Sequence, residues 1–251
     1  MAHRLGVSRA WILAHPEATL TPAQSQQLEE NLAQLEAGQP LPYVLGEWEF
    51  FGRKYRVSPD VLIPRPETEL LVEWAIEWLA KHPGRRLAAD VGTGSGCIAV
   101  SLARQFQDLR IMALDISLPA LRVAQDNAHR HQVPEQVWLV QSDLLAASHR
   151  PMDLICANLP YIPSATLQQL SVYGKEPGLA LDGGADGLRP IRRLLGSTRD
   201  QLADGGAMLL EIEAGQGQAV LELCRQIIPE ARVELHVDLA GRDRLVEIER
   251  A

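Results

Sequence analysis

Asp90-Val91-Gly92-Thr93-Gly94-Ser95-Gly96 is the stretch on which the reading of this chain turns. The apolar run Leu87 to Val91 leads into it, and Cys97-Ile98-Ala99-Val100-Ser101-Leu102-Ala103 follows with helical composition. A strand, a glycine-rich turn and a helix start are therefore predicted. Glycines at alternate positions let a ligand approach the backbone, and the first N–H groups of the helix behind them are free to donate. The spacing is not that of the dinucleotide fingerprint G-x-G-x-x-G, because Cys97 stands where its third glycine would be. Alone, the turn reads equally as a tight strand-to-helix connection or as the seat of a nucleotide-like ligand.

Further along, Ile111-Met112-Ala113-Leu114 forms a second apolar run that ends at Asp115. A carboxylate at the end of the next strand is placed to accept hydrogen bonds from ribose hydroxyls. Capping the following helix is the competing role, and Ser117 can fill it. A third run, Val137 to Val140, ends at Ser142-Asp143-Leu144, where an adenine ring can be held, and a fourth, Asp153 to Ala157, ends at Asn158-Leu159-Pro160-Tyr161. Four such ends define one edge of a parallel sheet, the edge at which such sheets bind ligands. The poorly periodic stretch 162–187 is long for a loop inside a domain and is expected to be a functional lid. A helix at about 188–202, a strand at Ala207 to Ile212, a helix at Gln216 to Ile228, and strands at Arg232 to Val237 and Arg244 to Glu249 are predicted beyond it. Only residues 238–243 join the last two strands, too few for a parallel crossover, so they should pair antiparallel. The expected architecture is α/β, with a mostly parallel sheet and one antiparallel strand.

On the N-terminal side, a helix is expected from Pro66 to about Lys81. The stretch before it, Ile63-Pro64-Arg65-Pro66-Glu67-Thr68-Glu69, reads equally as a helix-start signal or as a wall of the ligand site. Residues 41–65 predict a β-hairpin linker, from Trp48, Phe50, Tyr55 and Val57 around Gly52-Arg53-Lys54. Residues 1–40 form a small helical module. Its clearer helix begins at Thr21-Pro22-Ala23-Gln24, a capping box with proline at the first helical position, and carries Leu28, Leu32 and Leu35 as one apolar stripe. The α/β domain then spans 66–251.

An apolar content of 46% over 251 residues is ample for a packed core, and no run has the length of a membrane span. No secretory signal is evident, and Cys97, Cys156 and Cys224 read as reduced core residues, so a cytoplasmic location is expected. The seven histidines show no metal-ligand spacing, and no metal is expected. A net charge of −8 counts against broad binding to a phosphate backbone.

Asn158-Leu159-Pro160-Tyr161 supplies the chemistry. The residue before a proline is biased to extended conformations, which fixes the Leu159 carbonyl. The Asn158 oxygen and a nearby backbone carbonyl together can hold both hydrogens of a planar –NH2 group, whose delocalised lone pair makes it a poor nucleophile. Holding those bonds aims the lone pair at an electrophilic methyl and stabilises positive charge developing on nitrogen. Tyr161 can pack against the substrate plane. A strand-terminating turn with a core tyrosine is the plainer alternative.

Taken together, Asp90 to Gly96, Asp115 and Asn158 to Tyr161 resemble the class I S-adenosylmethionine-dependent methyltransferases that act on planar nitrogens. Ile63 to Glu69, Glu176-Pro177 and Asp182-Gly183-Gly184-Ala185-Asp186-Gly187 narrow the resemblance to the HemK/PrmC family, the peptide-chain release factor glutamine N5-methyltransferases, over nearly the whole chain from Leu5. The resemblance implies a Rossmann-like fold with a seven-stranded sheet. It implies S-adenosyl-L-methionine as cofactor, with Gly92, Thr93, Gly94, Ser95 and Gly96 around its methionine part, Asp115 on the ribose, Asp143 and Leu144 beside the adenine, and Asn158 near the transferred group. Asn158, Leu159, Pro160 and Tyr161 would receive the substrate glutamine, with Asn158, Pro160 and Tyr161 catalytic. The implied partner is a bacterial class 1 release factor, methylated at the glutamine of its Gly-Gly-Gln tripeptide. Two departures stand out. Leu159 occupies a position that is usually proline, a form also similar to the ribosomal RNA adenine dimethyltransferases. The family's helical N-terminal domain, which docks the protein substrate, usually begins earlier, so one or more helices are expected to be missing before Met1. An adenine methyltransferase acting on RNA or DNA and a non-catalytic cofactor-binding protein are the competing functions.

Overall fold

The computed structural model describes residues 1–250, with Arg4 described through its backbone only. Three helices open the chain: α1 (Ala2–Leu5), α2 (Arg9–Ala14) and α3 (Pro22–Glu36). The capping box at the start of α3 is present, with Thr21 Oγ1 accepting from Gln24 N and Gln24 Oε1 accepting from Thr21 N. The apolar stripe is not as expected. Asn31 is the residue that α3 buries, while Leu32 is exposed. At 3.6 residues per turn, Leu28, Asn31 and Leu35 share a face and Leu32 stands roughly 100° from Asn31, so the helix rolls Leu32 outward.

A short helix not anticipated from the sequence, α4 (Leu41–Leu45), precedes the hairpin β1 (Glu47–Phe50) and β2 (Arg53–Arg56). Phe51 (φ 49°) and Gly52 (φ 66°) make the turn between them. Several contacts bind this hairpin to the rest of the molecule. Tyr55, fully buried, shares a 2.8 Å hydrogen bond with Ser101 Oγ. Glu69 Oε1 accepts from Phe51 N. The side chain of Asn127 accepts from Arg56 N (2.7 Å) and donates to the carbonyls of Arg56 (3.0 Å) and Ser95 (2.8 Å), so one buried amide joins the hairpin to the glycine turn. Asn127→Ala leaves those groups without partners and is expected to cost about 3 kcal/mol, at about 1–3 kcal/mol per orphaned buried group. The midpoint of urea unfolding measures it.

The remaining elements alternate as expected: α5 (Thr68–Lys81), β3 (Leu87–Val91), α6 (Cys97–Gln105), β4 (Arg110–Asp115), α7 (Leu118–Arg130), β5 (Val137–Gln141) and β6 (Met152–Ala157). They are followed by β7 (Ile162–Pro163), α8 (Ser164–Leu167), β8 (Asp182–Gly184), α9 (Arg189–Gln201), β9 (Leu202–Glu211), α10 (Gly217–Ile227), β10 (Arg232–Val237) and β11 (Asp243–Glu249). Seven strands form one sheet in the order β10-β11-β9-β6-β3-β4-β5. Only β11 runs against its neighbours β9 and β10, as the short turn before it requires. Alternate residues of β6 divide between two cores: Leu154 and Cys156 face α5, α6 and the hairpin, while Ile155 and Ala157 face α9 and α10. A parallel strand covered on both faces reads as an unbroken apolar run, which is why β3, β4 and β6 were visible in the sequence. Among the described residues no helix is long and apolar enough to cross a membrane.

Candidate active site

Strand β3 continues to β4 and β5 on one side and has β6 on the other, so the connections diverge beside the carboxyl end of β3. Sheets of this kind leave a crevice at that point. A cavity of about 290 Å³ lies there, walled by Gly92 to Ser95, Asp115, Asp143, Leu144, and Asn158 to Pro160.

The glycine turn is bent for close approach. Gly92, Gly94 and Gly96 all have positive φ (75°, 54° and 78°), which side chains other than hydrogen resist. A Cβ on Gly92 would sit 3.2 Å from Leu159 Cδ2, so the turn and the Asn158 segment are packed together. Beneath them Asp90 is fully buried. Its Oδ2 accepts from Thr93 Oγ1 (2.6 Å) and Ala99 N (3.1 Å), and its Oδ1 has no partner. Burial pushes the Asp90 carboxyl up to about 6.

Asp115 ties this turn to the end of β4, accepting from Gly94 N and Ser117 N, both at 2.9 Å. Capping of α7 falls to Ser117, whose Oγ accepts from Ala120 N, so Asp115 is not the cap. Burial raises the Asp115 pKa against these backbone donors. Asp143 meets Arg193 at 2.7 Å, and both belong to the cavity wall.

The end of β6 brings Asn158, Leu159 and Pro160 to the same cavity; Tyr161 is not among its walls. Instead Tyr161 lies half-buried under the influence of Glu211, Arg244, Arg65 and Glu67, and its carbonyl accepts from Gln216 Nε2 at 2.9 Å. Asn158 Nδ2 donates to Thr68 Oγ1 at 2.9 Å. Among the described residues no donor reaches Asn158 Oδ1 or the Leu159 carbonyl. Leu159 itself is buried in the core beside the sheet, so packing supplies the rigidity that a proline ring would otherwise give.

The stretch before α5 proves to be both a wall and a helix start: Pro64, Arg65 and Thr68 line the cavity, and the helix begins at Thr68, not Pro66. The long loop is also more ordered than a free lid. Its β7 and β8 pair in parallel, and Pro177, Leu179 and Asp182 form cavity wall. Glu176 fastens it, with one carboxylate oxygen paired to Arg65 and the other accepting from Ile63 N at 3.1 Å. Glu176→Ala should release the loop, costing about 2 kcal/mol for the orphaned Ile63 N–H and the half-exposed, partly screened Arg65. Limited proteolysis should then cleave within 164–177 faster than in the parent protein.

Several residues here escaped the sequence reading. Thr68, Ile116 and Arg193 line the cavity but carry no local signal in the sequence. Glu211 had one, since an acidic residue inside the apolar run Ala207 to Ile212 is out of place unless it is partnered. Away from the cavity, His236 Nε2 meets Glu247 Oε2 at 2.8 Å and stacks on Trp74. The nearby Glu234 and Glu249 are both paired to Arg232, so the carboxylates of this edge are already compensated.

The chain is similar to known proteins in sequence and in fold. Residues 1–46 match the PrmC N-terminal domain and residues 68–171 the methyltransferase small domain. A release factor glutamine methyltransferase of Moorella thermoacetica is 42% identical over 95% of this chain and 84% of its own length. In fold, the chain is similar to a methyltransferase from Pyrococcus furiosus (TM-score 0.57, 17% identity, 92% of this chain and all of that one). It is also similar to a T. thermophilus 16S rRNA methyltransferase in complex with AdoMet and guanosine (TM-score 0.58, 17% identity, 82% of this chain and 50% of that one).

Proposed function

The chain belongs to the release factor glutamine methyltransferase family, and we propose from that membership how its own residues divide the work. It is a protein-glutamine N5 methyltransferase, transferring a methyl group to a side-chain amide nitrogen. S-adenosylmethionine, when bound, supplies the electrophilic sulfonium methyl. The cavity suits it: the positive-φ glycines Gly92 and Gly94 keep side chains out of the wall, and Asp115 on that wall offers carboxylate acceptors for ribose. Gly92, Thr93, Gly94, Ser95 and Gly96 would hold the methionine part, and Asp143 and Leu144 would flank the adenine.

The observation that carries the reading is the state of Asn158. Its Nδ2 is committed to Thr68, which leaves Oδ1 as an acceptor on a residue of the cavity wall. Asn158 Oδ1 and the Leu159 carbonyl would accept the two N–H bonds of the substrate glutamine. An amide held by both hydrogens turns its nitrogen toward the methyl, and the two acceptors stabilise the positive charge that develops there. Pro160 fixes the direction of the Leu159 carbonyl, and Tyr161 would steady the glutamine from beside the cavity.

The reading takes the Gly-Gly-Gln tripeptide of a class 1 release factor as substrate. It gives residues 1–40 to docking that protein, 41–65 to linking and 66–251 to catalysis. The exposed Trp11, Leu13 and Leu32 support the docking role. It puts the reaction in the cytoplasm, and three buried, unpaired cysteines suit a reducing compartment. The test is mass spectrometry of a purified release factor after incubation with this protein and S-adenosylmethionine. A single methyl on the glutamine of Gly-Gly-Gln is expected; transfer to adenine in an RNA control, with none to the release factor, would overturn it.

A further inference from the structure

Glu211 ends β9 next to Asn158 and Thr68, yet it is not part of the cavity wall. Its side chain is only 3% exposed, and its Oε2 has no partner. The Thr68 and Asn158 side chains stand beside it and favour its ionised form. Around it stand Arg244 from β11, Glu67 at the head of α5, the Tyr161 phenol, and the Cys97 thiol at the start of α6.

The Asn158 amide poses an orientation problem. Exchanging its oxygen and nitrogen barely changes the shape of the side chain, so packing alone cannot select one arrangement. A threonine hydroxyl cannot select one either, since it donates or accepts equally well. An ionised carboxylate only accepts. With the Thr68 proton drawn to Glu211, Thr68 Oγ1 is left to accept from Asn158 Nδ2, the 2.9 Å bond observed. We propose that Glu211 is a positioning residue for methyl transfer, one that holds the Asn158 amide with Oδ1 toward the cavity. The inference rests on the reading of Asn158 as the acceptor of substrate N–H.

A residue that merely stabilised the fold would behave differently. Burial pushes the Glu211 carboxyl up to about 7 from the ordinary 4.5. Between those values the unfolded chain has released the proton and the folded one has not, so stability falls as pH rises from 4.5 through about 7. At pH 8 the ionised Glu211 therefore weakens the fold, and Glu211→Gln, which never ionises, should unfold at an equal or higher temperature. In activity the signs reverse. Glutamine can donate as well as accept, so Asn158 loses its fixed orientation.

The experiment measures kcat, both KM values, melting temperature and pH profile for the parent protein, Glu211→Gln, Thr68→Val and Asn158→Ala. For Glu211→Gln, kcat should fall about tenfold or more, with both KM values changed less than about threefold and melting at pH 8 unimpaired. In the parent protein kcat should decline below about pH 7, where Glu211 becomes protonated, and that limb should vanish in Glu211→Gln. Thr68→Val should lower kcat in the same way with Glu211 intact. Unchanged kcat in Glu211→Gln overturns the proposal. So does a fall in kcat accompanied by weaker cofactor binding and a lower melting temperature, the mark of a structural role. If Asn158→Ala also keeps full activity, the reading of the site fails first; if it loses activity while Glu211→Gln does not, only the Glu211 proposal falls.

Discussion

Asn158→Ala is expected to lower kcat about 10²- to 10³-fold while leaving the affinity for S-adenosylmethionine within a few-fold of the parent protein. The size follows from the chemistry. A glutamine amide nitrogen has its lone pair delocalised into the carbonyl, and charge builds on it only as the methyl arrives. An acceptor placed for that moment acts on the transition state and hardly at all on cofactor binding. Truncation also leaves Thr68 Oγ1 without the donor it holds at 2.9 Å. Melting temperature should change little at neutral pH, because the residue stands at a cavity wall and not within the sheet. Calorimetric titration with the cofactor beside single-turnover kinetics separates the effects. Equal loss of binding and turnover would make Asn158 chiefly a cofactor ligand.

The second large effect concerns Gly187, which no argument from the glycine turn would single out. It has φ 76°, and a Cβ there would lie 2.3 Å from the Tyr161 carbonyl oxygen, 2.8 Å from Gln216 Nε2 and 3.2 Å from Pro163 Cδ. The oxygen belongs to the backbone just beyond Asn158-Leu159-Pro160, and the amide is the one that holds it. Gly187→Ala must displace the Tyr161 carbonyl and break that hydrogen bond, in addition to about 1–2 kcal/mol for a side chain in the left-handed region. A total loss of about 3–4 kcal/mol is expected, with activity reduced more than about tenfold even in the folded fraction, because the distorted backbone carries the substrate residues. Gly174, in the same loop at φ 72° with nothing near its absent Cβ, is the control. Gly174→Ala should lose only the conformational part, about 1–2 kcal/mol, and keep its activity. Denaturant midpoints of the two variants give the comparison.

These two residues mark how differently the parts of the site could be seen in advance. Asn158 was legible because it ends an apolar run, next to a proline, at the same sheet edge as the glycine turn. Glu176 and Gly187 were noticed as members of motifs, but the reason each is needed lies far along the chain. Glu176 meets Arg65 and Ile63 more than a hundred residues before it, and Gly187 meets Tyr161 across β7 and β8. Leu32 was misread because a leucine spacing alone cannot say which way a short helix rolls when its partner surface is small.

The sequence by itself determined the strand–glycine turn–helix unit, the four strand ends, the antiparallel return of β11 and the residue types available to bind a cofactor and an amide. Periodicity, turn chemistry and loop length are local, and a parallel sheet announces itself by unbroken apolar runs. Only the tertiary structure decided that Thr68, Asn158 and Glu211 meet at one place, that Tyr161 stands outside the cavity wall, and that Arg65 locks the long loop down. Those relations join α5, β6 and β9, or loops tied to them, and only the packed sheet sets the distances between groups so remote in sequence.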